Sequence, residues 1–414
     1  MAAAWSLANA GWGPLTVVER GSELGGLAGT FHREEHFYPL AYHHILKRDA
    51  TLLRFLDLVG ALPRVRWRKI RMLFRVDGRL YDLGHPRDFL RFPMSLADKL
   101  RFARLMARTF AKTDWSDWSD RAADELVDRW GGPGVREAIF EPLARLKFER
   151  PSAELSAAWL GARLHFREGS SPLGFIPGAN WTKVLCDGLT ERLRAAGIEL
   201  RTESTVAALT DDGSRLVGVE LKNGERLGAD RFVSTLPTEV YRSLAPRDRT
   251  DELDRIRYTA IVSLVCATRQ RISPDFYWMN LASPRCSACG LFRLESLNPT
   301  IGGPDESSFN FVTHVPSRHD AFFRRDDEEL IDGYKNDFRS IFGVELQPAW
   351  THLARLPMYS PVFLRGYRNP PVRSRSWPNV FFAGNYRTFP SIASTGTALQ
   401  SGLDAAAAAL AAEV

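Results

Sequence analysis

The stretch that decides the fold is LTVVERGSELGGLAGT at residues 15–30. Its β-branched beginning predicts a short strand that ends at the acid Glu19. Residues 1–9 before it are rich in alanine and predict a helix, and residues 10–14 are typical of a turn. This order occurs in a dinucleotide-binding βαβ unit, where a first strand and a Gly-x-Gly-x-x-Gly turn precede the helix. Here both are missing.

Composition narrows the classes of protein. A length of 414 residues predicts two or more interleaved domains. The 55 Lys and Arg exceed the 49 Asp and Glu by only six, and they are spread along the chain, so we expect no nucleic-acid partner. Four cysteines do not suggest a disulfide scaffold, which favours a cytoplasmic location. CSAC at 286–289 lacks a second Cys or His pair nearby, and we expect no metal site.

One basic stretch, RVRWRKIR at residues 64–71, alternates charged and apolar residues. It fits a solvated face or a contact with an anionic substrate or membrane surface. No apolar run reaches the roughly 20 residues that a spanning helix needs. We therefore expect at most a peripheral membrane contact.

The middle of the chain changes character twice. Residues 50–167 are helical in composition, with a hairpin at 72–83 that turns on Asp77-Gly78. Residues 181–195 predict a helix, and two further hairpins turn at 211–213 and 223–224. Residues 258–357 predict a largely antiparallel layer with one charged helix.

Two motifs can hold a phosphate or a ring. After Glu19 comes a loop with Gly25, Gly26 and Gly29, and glycines let a backbone approach a ligand closely. Near the end, FFAGN at 381–385 predicts a buried strand and a turn, and STGTA at 394–398 opens a helix whose N–H groups can stabilise negative charge.

These motifs resemble those of the flavin-containing amine oxidase, protoporphyrinogen oxidase and phytoene desaturase superfamily. The ordered set comprises Glu19 with GGLAGT (25–30), Val206, STLP (234–237), VFFAGN (380–385) and STG (394–396). Leu27 departs from the Arg of many members, and Asn385 stands where an acid is common. Members commonly have a Leu or Met after the third glycine of the turn and then small residues. MAAA at 1–4 matches this order, so we interpret Met1 as an internal methionine mistaken for the start. An upstream stop codon directly before Met1 would contradict this.

The resemblance implies an α/β fold with a glutathione-reductase-type, Rossmann-like FAD-binding domain and an interleaved α+β substrate domain. We expect the FAD-binding domain at 1–49, 180–257 and 358–414, without its first strand, and the substrate domain at 50–179 and 258–357. It also implies the residue roles. Glu19 would hold the adenosine ribose, and the Val206 backbone would contact the adenine. The cofactor would then pass Gly25, Gly26, Gly29 and Thr30, followed by Gly384 and Asn385. Its flavin ring would face Thr395 and Gly396.

LAYHHI at 40–45 resembles the family stretch in which a glycine and a histidine precede a strand near the flavin. Ala41 replaces the glycine, and His43 takes the histidine position. A neutral imidazole there can hydrogen-bond the flavin or a substrate, so His43 is the catalytic candidate. A structural histidine at a domain junction is the alternative. The substrate-site candidates are His44, Tyr359 and Arg387.

The resemblance implies an FAD-dependent oxidoreductase that dehydrogenates a C–C or C–N bond of a hydrophobic, isoprenoid-like or amine substrate. No catalytic triad is needed, because the cofactor performs the redox step. One alternative is a non-redox flavoenzyme resembling UDP-galactopyranose mutase, acting on a sugar nucleotide. The other is a cofactor-free scaffold that lost its glycine turn. The sequence leaves the oligomeric state open.

Overall fold

The computed structural model describes residues 1–166, 172–248, 251–281 and 286–412. Its strands are β1 (Thr16–Val18), β2 (Thr30–Arg33), β3 (His36–Pro39), β4 (Ile45–Leu46), β5 (Arg66–Arg68), β6 (Met72–Val76), β7 (Arg79–Asp82), β8 (Leu173–Phe175), β9 (Glu199–Arg201), β10 (Val206–Asp211), β11 (Leu216–Leu221), β12 (Arg226–Gly228), β13 (Phe232–Ser234), β14 (Tyr258–Thr268), β15 (Trp278–Leu281), β16 (Gly290–Arg293), β17 (Ser307–Val315), β18 (Trp350–Pro361) and β19 (Val380–Phe382).

The helices are α1 (Ala2–Asn9), α2 (Ala50–Leu58), α3 (Pro86–Arg91), α4 (Leu96–Ala111), α5 (Ala123–Trp130), α6 (Pro133–Val135), α7 (Glu141–Phe148), α8 (Ala157–Phe166), α9 (Trp181–Ala195), α10 (Thr238–Leu244), α11 (Asp251–Arg255), α12 (Asp327–Phe342) and α13 (Thr395–Ala411). A π-helical turn, Arg136–Phe140, joins α6 to α7.

Two parallel strand pairs bring distant segments of the chain together. β1 pairs with β9, and β13 pairs with β19. Helices α1 and α13 cover β19, where alanines of both helices pack around the fully buried Phe381. Parallel strands covered by helices confirm the predicted α/β class.

A larger sheet has the strand order β18-β14-β17-β16-β15-β6-β7. Its pairs are antiparallel except β15 with β6. α12 packs on one face, with Tyr334 and Phe338 among the buried rings of that core. The sheet draws its strands from both segments predicted for the substrate domain, although β18 runs on to Pro361. The domain division stays a prediction.

The local sequence signals agree with the elements they predict. α9 has the predicted bounds, the hairpin on Asp77-Gly78 forms β6 and β7, and the two later hairpins form the sheet β10-β11-β12. β13 covers only Phe232–Ser234, because its partner β19 offers three residues and α10 begins directly after Pro237.

Candidate active site

Glu19 follows β1 directly, and short backbone bonds position it. The Gly21 amide donates to Glu19 Oε1 at 2.7 Å, and within the described ranges Oε2 makes no hydrogen bond. The Ser204 amide donates to the Glu19 carbonyl at 2.9 Å, and Val206 begins β10 two residues later. The structure thus brings together the two residues expected at the ribose and the adenine.

The glycine loop rests on α9. Gly25 has φ +139°, and a Cβ on it would lie 2.9 Å from Cys186 Sγ. A short 3₁₀ turn, Gly26–Ala28, follows and leads into β2, which begins at Thr30. Burial raises the pKa of the Cys186 thiol to about 11, so this contact is uncharged at neutral pH. Only glycine fits at position 25, for steric and conformational reasons together.

His43 ties this loop to a cavity. Its Nε2 lies 2.9 Å from the Leu27 carbonyl oxygen. Because a carbonyl only accepts, Nε2 carries the proton, and because burial lowers the pKa of His43 the ring is neutral. Its Nδ1 is then a hydrogen-bond acceptor. The catalytic role of His43 stays a prediction, and the structure shows that its ring is held in one tautomer.

The cavity beside His43 has aromatic walls. Tyr42, Phe175, Trp181 and Tyr277 line it, together with aliphatic and amide side chains. Tyr42 stacks on Phe292 with a centroid separation of 3.8 Å. The cavity measures about 40 Å³, so these walls can enclose only a small apolar part of a ligand. Sequence reasoning singled out none of these aromatic residues, because they come from separate segments of the chain.

His44 points into the same aromatic group rather than standing alone. Its ring stacks on Trp278, with centroids 5.8 Å apart and planes 29° apart. It also meets Tyr277 edge to face at 5.5 Å. The substrate role predicted for His44 is untested, but its ring belongs to the wall next to the cavity.

In the C-terminal motif, the backbone again packs closely against a neighbouring side chain. Gly384 has φ +144°, and a Cβ there would lie 2.8 Å from the ring of Tyr386. Its amide donates to Ser401 Oγ at 2.9 Å. Asn385 donates from Nδ2 to the Tyr359 carbonyl at 3.1 Å, which places the predicted substrate residue Tyr359 directly against the motif.

Asp49 was missed by the sequence reasoning, which used it only as a domain boundary. A Cβ on Gly396, at the start of α13, would overlap its carboxylate. Ser394 Oγ donates to Oδ2 at 3.3 Å, and the Leu52 amide donates to Oδ1 at 3.0 Å, so Asp49 also caps α2. Burial raises its pKa. An Asp directly before an apolar helical run is an N-cap signal, which would have identified half of this role.

Arg387 is held by main-chain carbonyls. Its Nε donates to Pro370 O and its Nη1 to Phe382 O, both at 3.1 Å. Burial lowers the pKa of the guanidinium. These bonds brace the loop after β19, and the substrate role of Arg387 stays a prediction.

The residues fit a flavin dinucleotide. Glu19 has an oxygen available for a ribose hydroxyl, and α13 presents its N-terminus beside Thr395 and Gly396. Gly25 and Gly384 let the two loops pack closely against Cys186 and Tyr386, which fixes their backbones. The Asp49 carboxylate lies beside that helix start and opposes a second negative charge there.

Comparison with known proteins agrees with this geometry. The family described as flavin-containing amine oxidoreductase matches residues 1–410. The chain belongs to this family. The predicted resemblance to the superfamily is confirmed, and membership of the family implies a flavin cofactor and oxidoreductase activity.

Individual relatives are distant in sequence. A 15-cis-phytoene desaturase of Synechococcus elongatus is 21% identical, with 96% of this chain and 90% of the relative covered. A protoporphyrinogen oxidase-like protein from Exiguobacterium sp. 255-15 has a TM-score of 0.76 at 18% identity, covering 98% and 95%. A reduced UDP-galactopyranose mutase has a TM-score of 0.76 at 15% identity, covering 99% and 91%. The structural likenesses confirm the predicted flavoenzyme fold.

His314, on β17, is a buried titratable group near the site. Its ring lies 5.9 Å from that of Tyr359, and within the described residues its Nδ1 has no hydrogen-bond partner. Burial, with Lys147 and Arg163 adding positive charge nearby, lowers the pKa of His314 to about 3. The folded protein therefore keeps this ring neutral.

We expect His314 to make folding sensitive to acid. Its pKa is depressed on folding, so stability is lost as pH falls below the unfolded value of about 6.5, at about 1.4 kcal/mol per pH unit. Between pH 7 and 5 the free energy of unfolding should fall by about 2 kcal/mol through this group. Urea unfolding at both pH values measures it. In His314→Asn, the loss of unfolding free energy between pH 7 and 5 should be smaller by that amount. His319→Asn is the control, because His319 is exposed, and it should leave the pH dependence unchanged. Equal pH dependence of the unfolding free energy in the wild type and both variants would contradict the assignment.

Proposed function

We propose that this flavoprotein is an FAD-dependent oxidoreductase that dehydrogenates a C–C or C–N bond of an apolar, isoprenoid-like or amine substrate. The observation that carries the proposal is the cavity beside His43. Aromatic and aliphatic side chains line it, and none of the described lining residues carries a full charge, since His43 is neutral. Such a cavity favours a substrate without phosphate or carboxylate groups.

Bound FAD would supply the electron acceptor for the substrate. The protein's own residues would bind the cofactor, orient the substrate and exclude water from the site. Glu19 Oε2 would accept a hydrogen bond from a ribose hydroxyl, and the glycine loop would lie along the cofactor. The aromatic walls exclude water, and His43 Nδ1 accepts a hydrogen bond from a substrate hydroxyl or amine.

The mutase-like alternative is less well supported. A sugar nucleotide carries a diphosphate, which proteins usually bind with Arg or Lys. The described residues that line the cavity include neither. The shared fold does not decide between the two reactions, because one architecture hosts several chemistries.

The proposal is tested by the visible absorption spectrum of the purified chain with and without added FAD. We expect a flavin spectrum that bleaches under anaerobic conditions when an apolar polyene or a diamine is added. Glu19→Ala should weaken FAD binding by about tenfold, from loss of a charge-assisted hydrogen bond. Glu23→Ala is the matched control, since Glu23 is exposed and pairs with Lys183.

Two results would contradict the proposal. Interconversion of UDP-galactopyranose by the reduced protein, without net oxidation, would identify a mutase. A folded protein that stays colourless after incubation with FAD would favour the scaffold alternative.

A further inference from the structure

Helices α3 and α4 present large apolar side chains to solvent. Leu90, Leu96, Leu100 and Phe110 expose 63%, 68%, 68% and 46% of their surface. The buried side of α4 is formed by other residues, among them Leu105 and Thr109. Exposed apolar surface clustered in this way marks an interaction site.

Five exposed apolar residues of α4 form one stripe. Leu96, Leu100, Ala103, Ala107 and Phe110 follow one another at intervals of four and three residues, and all are exposed. At 3.6 residues per turn this spacing keeps them on one line along the helix. The stripe runs the length of α4 and faces away from the core.

A basic stripe lies beside the apolar one. Arg101, Arg104 and Arg108 are exposed and occupy the neighbouring line of the same helix. Residues 86–112 contain seven Lys and Arg against two Asp, so this segment carries most of the chain's net charge of +6. Both acids are engaged: Asp98 pairs with Arg101 at 3.0 Å, and Asp88 accepts from a backbone amide.

The surface continues towards the cavity. The Arg48 guanidinium lies 4.7 Å from the centre of the Phe110 ring, and Lys47 Nζ lies 5.3 Å from that of Trp67 on β5. Trp67 is 36% exposed. β5 pairs with β8, whose Phe175 lines the cavity. The basic stretch 64–71 therefore adjoins the α3–α4 surface and extends it.

We propose that the α3–α4 surface, extended by Trp67, docks on an anionic lipid bilayer. The apolar stripe would enter the acyl boundary while the arginines contact phosphate headgroups, as in other helices that lie in the interface plane. An antiparallel pairing of α4 with that of a second copy is disfavoured, because it would place the two arginine stripes against each other. Within the described residues, no helix is long and apolar enough to cross the bilayer. The docking is independent of the flavin chemistry.

Co-sedimentation of the full chain with vesicles tests this. Vesicles of equal parts phosphatidylcholine and phosphatidylglycerol should bind the protein, and phosphatidylcholine alone should bind it more weakly. Leu96→Ser with Leu100→Ser should lower partitioning by about tenfold or more, because two apolar side chains leave the acyl boundary. Val344→Ser is the matched control, since Val344 is 44% exposed and lies after α12.

The substitutions affect exposed positions, so circular dichroism and thermal midpoint should be unchanged. Equal binding of the Leu and Val variants would overturn the proposal, as would equal binding to neutral vesicles. Sedimentation velocity supplies another decisive outcome. If the Leu variant converts a dimer into a monomer, the surface is an interface between two copies and the proposal is wrong.

Discussion

Gly25→Ala should weaken FAD binding by at least about tenfold and lower the free energy of unfolding by about 2–4 kcal/mol. The new Cβ would lie 2.9 Å from Cys186 Sγ, and φ +139° is strained for any residue with a side chain. Relief requires the loop to move away from α9. The Leu27 carbonyl that fixes the His43 ring belongs to the same loop, so the change reaches the cavity. FAD titration and urea unfolding measure the two effects.

Gly25→Ala with Cys186→Ala separates the two causes. Removing the sulfur relieves the contact but leaves the φ strain, so this double variant should recover part of the lost stability. Gly11→Ala is the control, because Gly11 also has positive φ, at +79°, yet a Cβ there would meet nothing within 4 Å. Equal losses of FAD affinity in Gly11→Ala and Gly25→Ala would refute the packing argument.

Gly396→Ala should cost about 2–4 kcal/mol of stability. Its Cβ would overlap the Asp49 carboxylate, which is short and held by bonds to Leu52 and Ser394. Moving Asp49 aside uncaps α2, and moving α13 disturbs its packing against α1. Calorimetry or urea unfolding gives the loss, and far-ultraviolet circular dichroism confirms that the helices are retained.

A double-mutant cycle tests whether Asp49 is the cause. Asp49→Ala alone should cost about 1 kcal/mol as a lost cap. In the background of Asp49→Ala, Gly396→Ala should cost little, so the two effects should be strongly non-additive. Additive losses would show that Gly396 is required for another reason.

Much of the local structure could be predicted. α1, the following turn and β1 are encoded by alanines, then glycines and a proline, then β-branched residues. α9 follows from its apolar spacing and from Asn180, whose side chain accepts from the first amides of the helix. Three hairpins follow from their Asp-Gly, Asn-Gly and Asp-Asp-Gly turns. Each of these signals depends on only a few neighbouring residues, so the element that it predicts forms whatever the tertiary contacts are.

The cofactor residues could be predicted only as an ordered set. Glu19 and Gly25 gain weight from being adjacent in sequence, and their contacts with Ser204 and Cys186 were not visible. Arg387 shows the opposite case. Its charge and position suggested a ligand, whereas its hydrogen bonds go to backbone carbonyls.

By itself, the sequence determined the α/β class and the superfamily, because these depend on local periodicity and on motifs read in order, and it predicted the flavin-binding residues. Only the tertiary structure decided what lies between segments. Asp49 meets Ser394 across 345 residues, and the cavity walls and the α3–α4 surface likewise combine separate elements. Such contacts depend on how the elements pack. The type of residue at one position does not tell which distant residue it will contact in the folded chain.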